Sequence, residues 1–204
     1  MSVDMSKIAL ALAKHDCVLI GEFKLSSGAT SPYYIDLRTM PSHPKLFDLV
    51  TDAYVVMLKS LKLDFDRVAG VATAGVPIAT LVAYKLKRPF LYVRKEEKAH
   101  GTKSLIEGIV NSGDSVIIVD DIATTGGSLQ RAVEALRERG VKVKHVVVLV
   151  DREQGAGKNL AAKEVKLVSL LTSSKLIEEL YLKGIVAKSD YEKVVKYIKG
   201  GEHV

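Results

Sequence analysis

Two adjacent carboxylates, Asp120 and Asp121, close a run of apolar β-branched residues, Val116-Ile117-Ile118-Val119. Small and hydroxyl-bearing residues follow: Ile122-Ala123-Thr124-Thr125-Gly126-Gly127-Ser128. Carboxylates accept hydrogen bonds from sugar hydroxyls. Bare backbone N–H groups at a helix start, with threonine and serine hydroxyls beside them, seat a phosphate. Acids and a phosphate cradle side by side suit a phosphorylated ribose. The plainer alternative is an acidic strand end followed by a turn, and the TTGGS continuation weighs against it.

The elements that must position these groups follow from the pattern. The apolar run is short and does not alternate, so it reads as a strand buried on both faces, with its acids at the C-terminal edge where open α/β sheets bind ligands. A strand at Arg67–Ala72, a turn at Thr73-Ala74-Gly75 and a helix opening at Val76-Pro77 repeat the same strand–turn–helix order. That helix ends near Lys87, and Phe90–Val93, Val143–Val150 and Val165–Leu171 read as further strands. Leu129, Ala132, Val133 and Leu136 line one face of the helix after the acids, which Gly140 closes. A short helix is expected over 174–182. A capping box of Ser189 with Glu192 starts a last one, whose Tyr191, Val194, Val195 and Ile198 face inward. Strands alternating with helices over 67–171 predict an α/β fold with a central parallel sheet flanked by helices, then C-terminal helices over 172–204. Ahead of it come a helix over 3–15, two β-like runs (Gly21–Gly28 and Ala29–Arg38) forming a hairpin, and a helix over 45–60. Residues 1–60 are therefore expected to form a hood of helix plus hairpin, within a single domain of residues 1–204.

Two further groups could meet anions. Residues 94–108, RKEEKAHGTKSLIEG, have no apolar period and contain Gly101 and Gly108 as hinges. The segment is either a solvated loop or a flap that brings Arg94, Lys95, Lys98, His100 and Lys103 over an anionic substrate. Arg152 follows the Val143–Val150 strand, with Asp151 and Glu153 beside it as alternative ion-pair partners. Neither a GxxxxGK[ST] nor a GxGxxG loop occurs, which excludes the two commonest nucleotide-binding signatures.

Composition narrows the partners. A net charge of +6 over 204 residues favours anionic ones, while 6% aromatics without Trp and scattered lysines argue against a base-stacking nucleic-acid surface. The lone Cys17 points to a reducing compartment, and the five histidines lack metal-ligand spacing. With no apolar run near the ~18 residues of a membrane span, and no cleavable pattern around Asp4, a soluble cytoplasmic protein with no membrane contact is expected.

The segment VIIVDDIATTGGS resembles the phosphoribosyl-diphosphate (PRPP) signature of type I phosphoribosyltransferases. Together, FKLSSGATSPYYIDLR (Phe23–Arg38), RKEEKAHG (from Arg94) and VDREQGA (from Val150) resemble the orotate phosphoribosyltransferase family, a likeness that extends over nearly the whole chain. The resemblance implies a type I phosphoribosyltransferase-like fold and transfer of a phosphoribosyl group from PRPP to orotate. It assigns catalysis to Lys98, His100, Asp120 and Asp121. PRPP is expected on Thr73, Ala74, Gly75, Arg94, Lys95, Lys98, His100 and the stretch Asp120, Asp121, Ile122, Ala123, Thr124, Thr125, Gly126, Gly127, Ser128. Orotate is expected on Lys24, Tyr33, Tyr34, Thr124 and Arg152. Mg²⁺ is the implied cofactor, held mainly by PRPP, diphosphate and water with no direct protein ligand. A homodimer is implied, its 94–108 flap acting in the neighbouring subunit's site.

Many bacterial members carry Tyr-Lys where this chain has Thr73-Ala74, and that lysine contacts the diphosphate. Here only backbone donors and the Thr73 hydroxyl remain, which implies that diphosphate affinity leans on the flap. The second glycine of TTGGS is a milder variation. A purine phosphoribosyltransferase is the nearest rival reading, but a neutral purine gives no reason for Lys24 and Arg152 at the base end. A nucleotide-sensing regulator on the same fold is the second rival, and it would need no leaving-group cations.

Overall fold

The computed structural model describes residues 3–24, 28–96 and 104–200. Helix α1 (Met5–Lys14) is capped by Asp4, whose carboxylate accepts the Lys7 N–H at 2.9 Å, and it buries Ile8, Ala9 and Leu12. Strands β1 (Val18–Lys24) and β2 (Thr30–Ile35) form a separate antiparallel ribbon in which Val18 faces Ile35 and Lys24 faces Thr30. The first strand thus begins earlier than the Gly21 expected. Tyr33, Ile35 and Leu37 are buried, as their alternation requires. A 3-10 turn over Met40–Ser42 leads to α2 (Pro44–Ser60), where Pro44 occupies the first turn and needs no N–H partner.

The main sheet has the order β5-β4-β3-β6-β7-β8. Its strands are β3 (Arg67–Val71), β4 (Phe90–Val93), β5 (Ile106–Glu107), β6 (Ser115–Ala123), β7 (Lys142–Asp151) and β8 (Lys166–Thr172). All neighbours are parallel except the edge pair β4 and β5. The helices between them are α3 (Gly75–Leu86), α4 (Gly127–Arg137) and α5 (Ala156–Ala161), with α6 (Ser173–Leu182) and α7 (Lys188–Gly200) after the last strand.

The unalternating apolar strands are explained by the two-sided core. Ile117 and Val119 of β6 pack in the cluster that contains α1, α2, α3, α6 and α7, whereas Val116 and Ile118 pack in the cluster with α4 and α5. Full burial of one such side chain contributes about 1.5–3 kcal/mol, so both faces of the strand are strongly specified. Tyr33 links the hood to the carboxyl-terminal helices: its ring meets Tyr197 edge-on at 6.2 Å, and its hydroxyl lies 3.4 Å from Ser173 Oγ.

Several boundaries depart from expectation. Helix α3 begins at Gly75, so Pro77 is its third residue and not its first. Helix α7 begins at Lys188, which puts Ser189 inside the first turn, with Glu192 3.8 Å from Lys188 Nζ. The expected capping box does not start this helix. Short α5 and the edge strand β5 were not legible, being too brief to show a period. Among the described residues no helix is long and apolar enough to cross a membrane.

Candidate active site

The two acids lie on the last turn of pleat in β6, the strand continuing to Ala123 through pairing with Val148, Val150 and Asp151 of β7. Asp120 is 5% exposed and Asp121 8%. Local backbone fixes both carboxylates: the Asp121 N–H donates to Asp120 Oδ1 at 3.0 Å, and the Ile122 N–H donates to Asp121 Oδ1 at 2.8 Å. Tyr54, fully buried on α2, donates its hydroxyl to the Asp120 carbonyl at 2.7 Å. Gly75, at the start of α3, touches the same group. A β-carbon there would collide with Asp120 Oδ1 and come within 3.1 Å of Val119 O.

Burial pushes the Asp120 carboxyl well above its ordinary range, with the negative charge of Asp121 adding to the effect and Lys95 opposing it. Asp121 is also raised by burial, but less freely, because hydrogen bonds and the charge of Arg38 pull it down. Two carboxyl groups so arranged share protons readily and accept hydrogen bonds from neutral hydroxyls at little further desolvation.

The loop after them is built as a cradle. Gly126 has φ +85°, and a β-carbon would meet Ala156 at 3.2 Å, so the position requires glycine twice over. Behind the loop, the Ala156 N–H donates to Thr124 O at 3.1 Å and Asn159 Nδ2 donates to Thr125 O at 2.8 Å. With its carbonyls turned back toward α5, the loop can offer N–H groups to an anion. Gly127 and Ser128 open α4, whose first N–H groups have no partner within the helix.

A cavity of about 470 Å³ brings half of the expected PRPP residues together: Thr73, Ala74, Lys95, Asp120, Asp121, Ile122, Thr124 and Ser128. Gly75 lies behind Asp120, and Ala123 is buried at the strand end. Thr125 is exposed and Gly126 buried in the loop itself. Arg94 lines an adjoining cavity of about 280 Å³ that shares Lys95 and Ser128, and it pairs with Glu107 at 3.2 Å. Lys98, His100 and Lys103 fall outside the described residues.

Of the expected base-binding residues Thr124 lines that wall, whereas Lys24, Tyr33, Tyr34 and Arg152 do not. Lys24 is exposed at the end of β1, and the Tyr34 ring lies tilted against that of Phe23, 5.5 Å between centroids. Tyr33 corrects an expectation: fully buried, it has no open ring face for a ligand, because the odd positions of β2 face the core. What covers it is Arg152, whose guanidinium carbon lies 5.1 Å from the ring centroid. Arg152 is next to the cradle, its N–H donating to Ala123 O at 2.8 Å. Its Nε and Nη2 are buried and, among the described residues, have no hydrogen-bond partner. The acids beside it are engaged elsewhere: Asp151 accepts the Glu153 N–H, and Glu153 accepts the Ser174 N–H. Sequence reasoning missed three contributors, Arg38, Tyr54 and Asn159. Only Arg38 left a signal, as the last residue of the Phe23–Arg38 motif.

A family profile described as a phosphoribosyl transferase domain matches residues 40–180. The chain is 43% identical over 188 residues to an orotate phosphoribosyltransferase of Sulfolobus acidocaldarius, covering 92% of this chain and 94% of that one. Among solved structures, an orotate phosphoribosyltransferase from Aeropyrum pernix superposes with a TM-score of 0.78 at 41% identity, over 86% of this chain and 98% of the other. UMP synthase of Leishmania donovani superposes with a TM-score of 0.86 at 32% identity over 97% of this chain, which spans only 42% of that longer protein. With the buried acid pair, the cradle and these relatives in agreement, the chain belongs to the phosphoribosyltransferase family, among the orotate phosphoribosyltransferases.

Proposed function

We propose that this protein transfers the 5-phosphoribosyl group of PRPP to orotate, giving orotidine 5′-monophosphate and diphosphate in pyrimidine (UMP) biosynthesis. The observation that carries the choice of base is Arg152. Its two buried guanidinium nitrogens lack partners among the described residues, and a desolvated cation of this kind calls for an anion. Orotate brings a carboxylate and a purine does not.

The residues divide the work as follows. Asp120 and Asp121 accept hydrogen bonds from the ribose 2′- and 3′-hydroxyls, and their charge favours the positive charge that develops on the ring as the C1–O bond breaks. Thr124, Thr125, Gly126, Gly127 and Ser128 hold the 5′-phosphate. Thr73, Ala74 and Gly75 face the diphosphate, with Lys95 and Arg94 nearby. Lys98 and His100, from the sequence pattern, would neutralise the leaving group. Each such contact is worth about 3 kcal/mol in the transition state, roughly a hundredfold in rate.

Mg²⁺ fits this donor set. The cavity wall offers two carboxylates, oxygen donors of the kind this ion takes. That suits an ion which travels on substrate phosphates and keeps its waters. Bound there, it would offset charge on the departing diphosphate. We place the enzyme in the cytoplasm as a homodimer whose 94–108 flap serves the neighbouring site.

The test is diphosphate release from PRPP and Mg²⁺ with orotate, uracil, hypoxanthine, guanine or adenine supplied separately. Release with orotate alone is expected. Turnover with a purine and none with orotate would overturn the reading. For the flap, mixing Lys98→Ala with Asp121→Asn subunits should restore activity that neither variant has alone, and failure of well-mixed heterodimers would show each site to be built from one chain.

A further inference from the structure

Arg38 is a cation on the cavity wall that the expected site does not include. It follows β2 on the hood, and its side chain is 66% exposed. Nε and Nη2 bind the Asp36 carboxylate at 2.8 and 2.7 Å, and Nη2 also donates to Tyr34 Oη at 3.1 Å. The Arg38 N–H donates to the same carboxylate at 3.0 Å. As a surface ion pair this would contribute little to stability, since exposed charges are well screened. A surface pair also gives no reason for a second partner, Tyr34, and a third hydrogen bond on one guanidinium. The effect of the clamp is orientation: with the Nε–Nη2 edge occupied, Nη1 keeps both its hydrogens, and among the described residues it has no acceptor.

The wall that Arg38 shares is informative. It contains Thr73 and Ala74, Lys95, the two acids and Ser128, together with Thr124, which is expected to meet both ligands, and it omits Lys24, Tyr33, Tyr34 and Arg152. Arg38 therefore shares its wall mainly with residues expected at the sugar-phosphate end of the site. Among the described residues, that wall carries two carboxylates against two cations, Lys95 and Arg38, and Thr73-Ala74 brings no charge. A diphosphate entering such a space needs cationic donors held in place beforehand.

We propose that Arg38 is a PRPP-binding residue, oriented by Asp36 and Tyr34 so that Nη1 donates to oxygens of the diphosphate end, and that it supplies the side-chain cation absent at Thr73-Ala74. The proposal rests on the phosphoribosyl-transfer reading above. It also explains Tyr34 and Asp36 without placing either against the base: they hold the arginine.

Calorimetric binding of PRPP, and of inorganic diphosphate with Mg²⁺, to the full-length protein tests it, alongside steady-state kinetics with orotate. Arg38→Ala should weaken both ligands about tenfold or more while the KM for orotate stays within about twofold. Arg38→Lys should retain part of the affinity, and Asp36→Asn should lose part of it by loosening the clamp. The double variant Arg38→Ala/Ala74→Lys should regain several-fold over Arg38→Ala. An exposed arginine leaves folding intact, so an unchanged melting temperature accompanies these effects. PRPP and diphosphate affinities within about twofold of the parent, or a loss confined to orotate, would overturn the proposal. Because binding is read without turnover, the outcomes separate: weakened PRPP binding in a protein inactive toward orotate would retain Arg38's role and remove the base assignment.

Discussion

Gly75 and Asp120 touch: the first residue of α3 lies so close to the carboxylate that no side chain fits between them. The contact couples the turn expected to face the diphosphate with the acid expected to face the ribose. Gly75→Ala should therefore displace the carboxylate, and the new methyl is also crowded by Val119 O at 3.1 Å. The expected cost is about 1–3 kcal/mol of stability, as for overpacking elsewhere, with a fall in kcat much larger than the change in orotate KM. Thermal unfolding and kinetics on the same preparation check both.

Asp120→Asn should make the protein more stable and less active. Burial raises both carboxyl pKa values in the folded state, so each acid binds its proton more tightly folded than unfolded. The sign follows: their contribution favours folding at low pH and is lost as pH climbs above the ordinary 3.8 through the raised folded value. An amide removes that loss. At neutral pH the variant should gain about 1 kcal/mol, or a few degrees in Tm, and its stability should vary less with pH than that of the parent. Turnover should fall about a hundredfold or more. A variant no more stable at neutral pH would contradict the assigned burial effect.

Tyr54→Phe removes the hydroxyl that donates to the Asp120 carbonyl at 2.7 Å. Because the group is buried, the orphaned carbonyl should cost about 1–3 kcal/mol. The loss should also appear in the pH profile of kcat, since the strand end that carries both acids is no longer tied to α2. Denaturant melts and pH–rate curves separate the two effects.

Asn159→Ala should raise the KM for PRPP several-fold and leave kcat nearly unchanged. The Asn159 amide holds the Thr125 carbonyl away from the cradle at 2.8 Å. Without it the loop must be ordered by the ligand, which costs affinity. Asn159 is exposed, so global stability should change by no more than about 1 kcal/mol. Equal PRPP affinity in the variant would show that the loop holds its shape unaided.

The parts legible in the sequence were those with a period or a run. Val116–Val119 and Val143–Val150 announced buried parallel strands, and Asp120 to Ser128 announced the cradle, because strand, acids and loop are contiguous. What was illegible depends on residues distant in the chain. Nothing around Tyr54 signals that its hydroxyl meets the backbone 66 residues later. Asn159 sits on a helix of 6 residues, too short to show amphipathicity. The alternation of Tyr33, Ile35 and Leu37 marks Tyr33 for the core face, but nothing local shows that Tyr34 turns to meet Arg38. The Ser189–Glu192 signature failed because α7 starts one residue before it, a shift that local composition does not control.

Over Val116–Val119, strand β6 is paired on both edges, with β3 and β7, and is covered on both faces. Its amides should therefore exchange with solvent only when the whole molecule opens, since interior strands report the global unfolding free energy and frayed edges do not. The acids expected to meet the sugar thus follow directly on the slowest-exchanging segment. Heat or protease should not extinguish activity by peeling this part of the site away; inactivation by loss of the acids should track global unfolding.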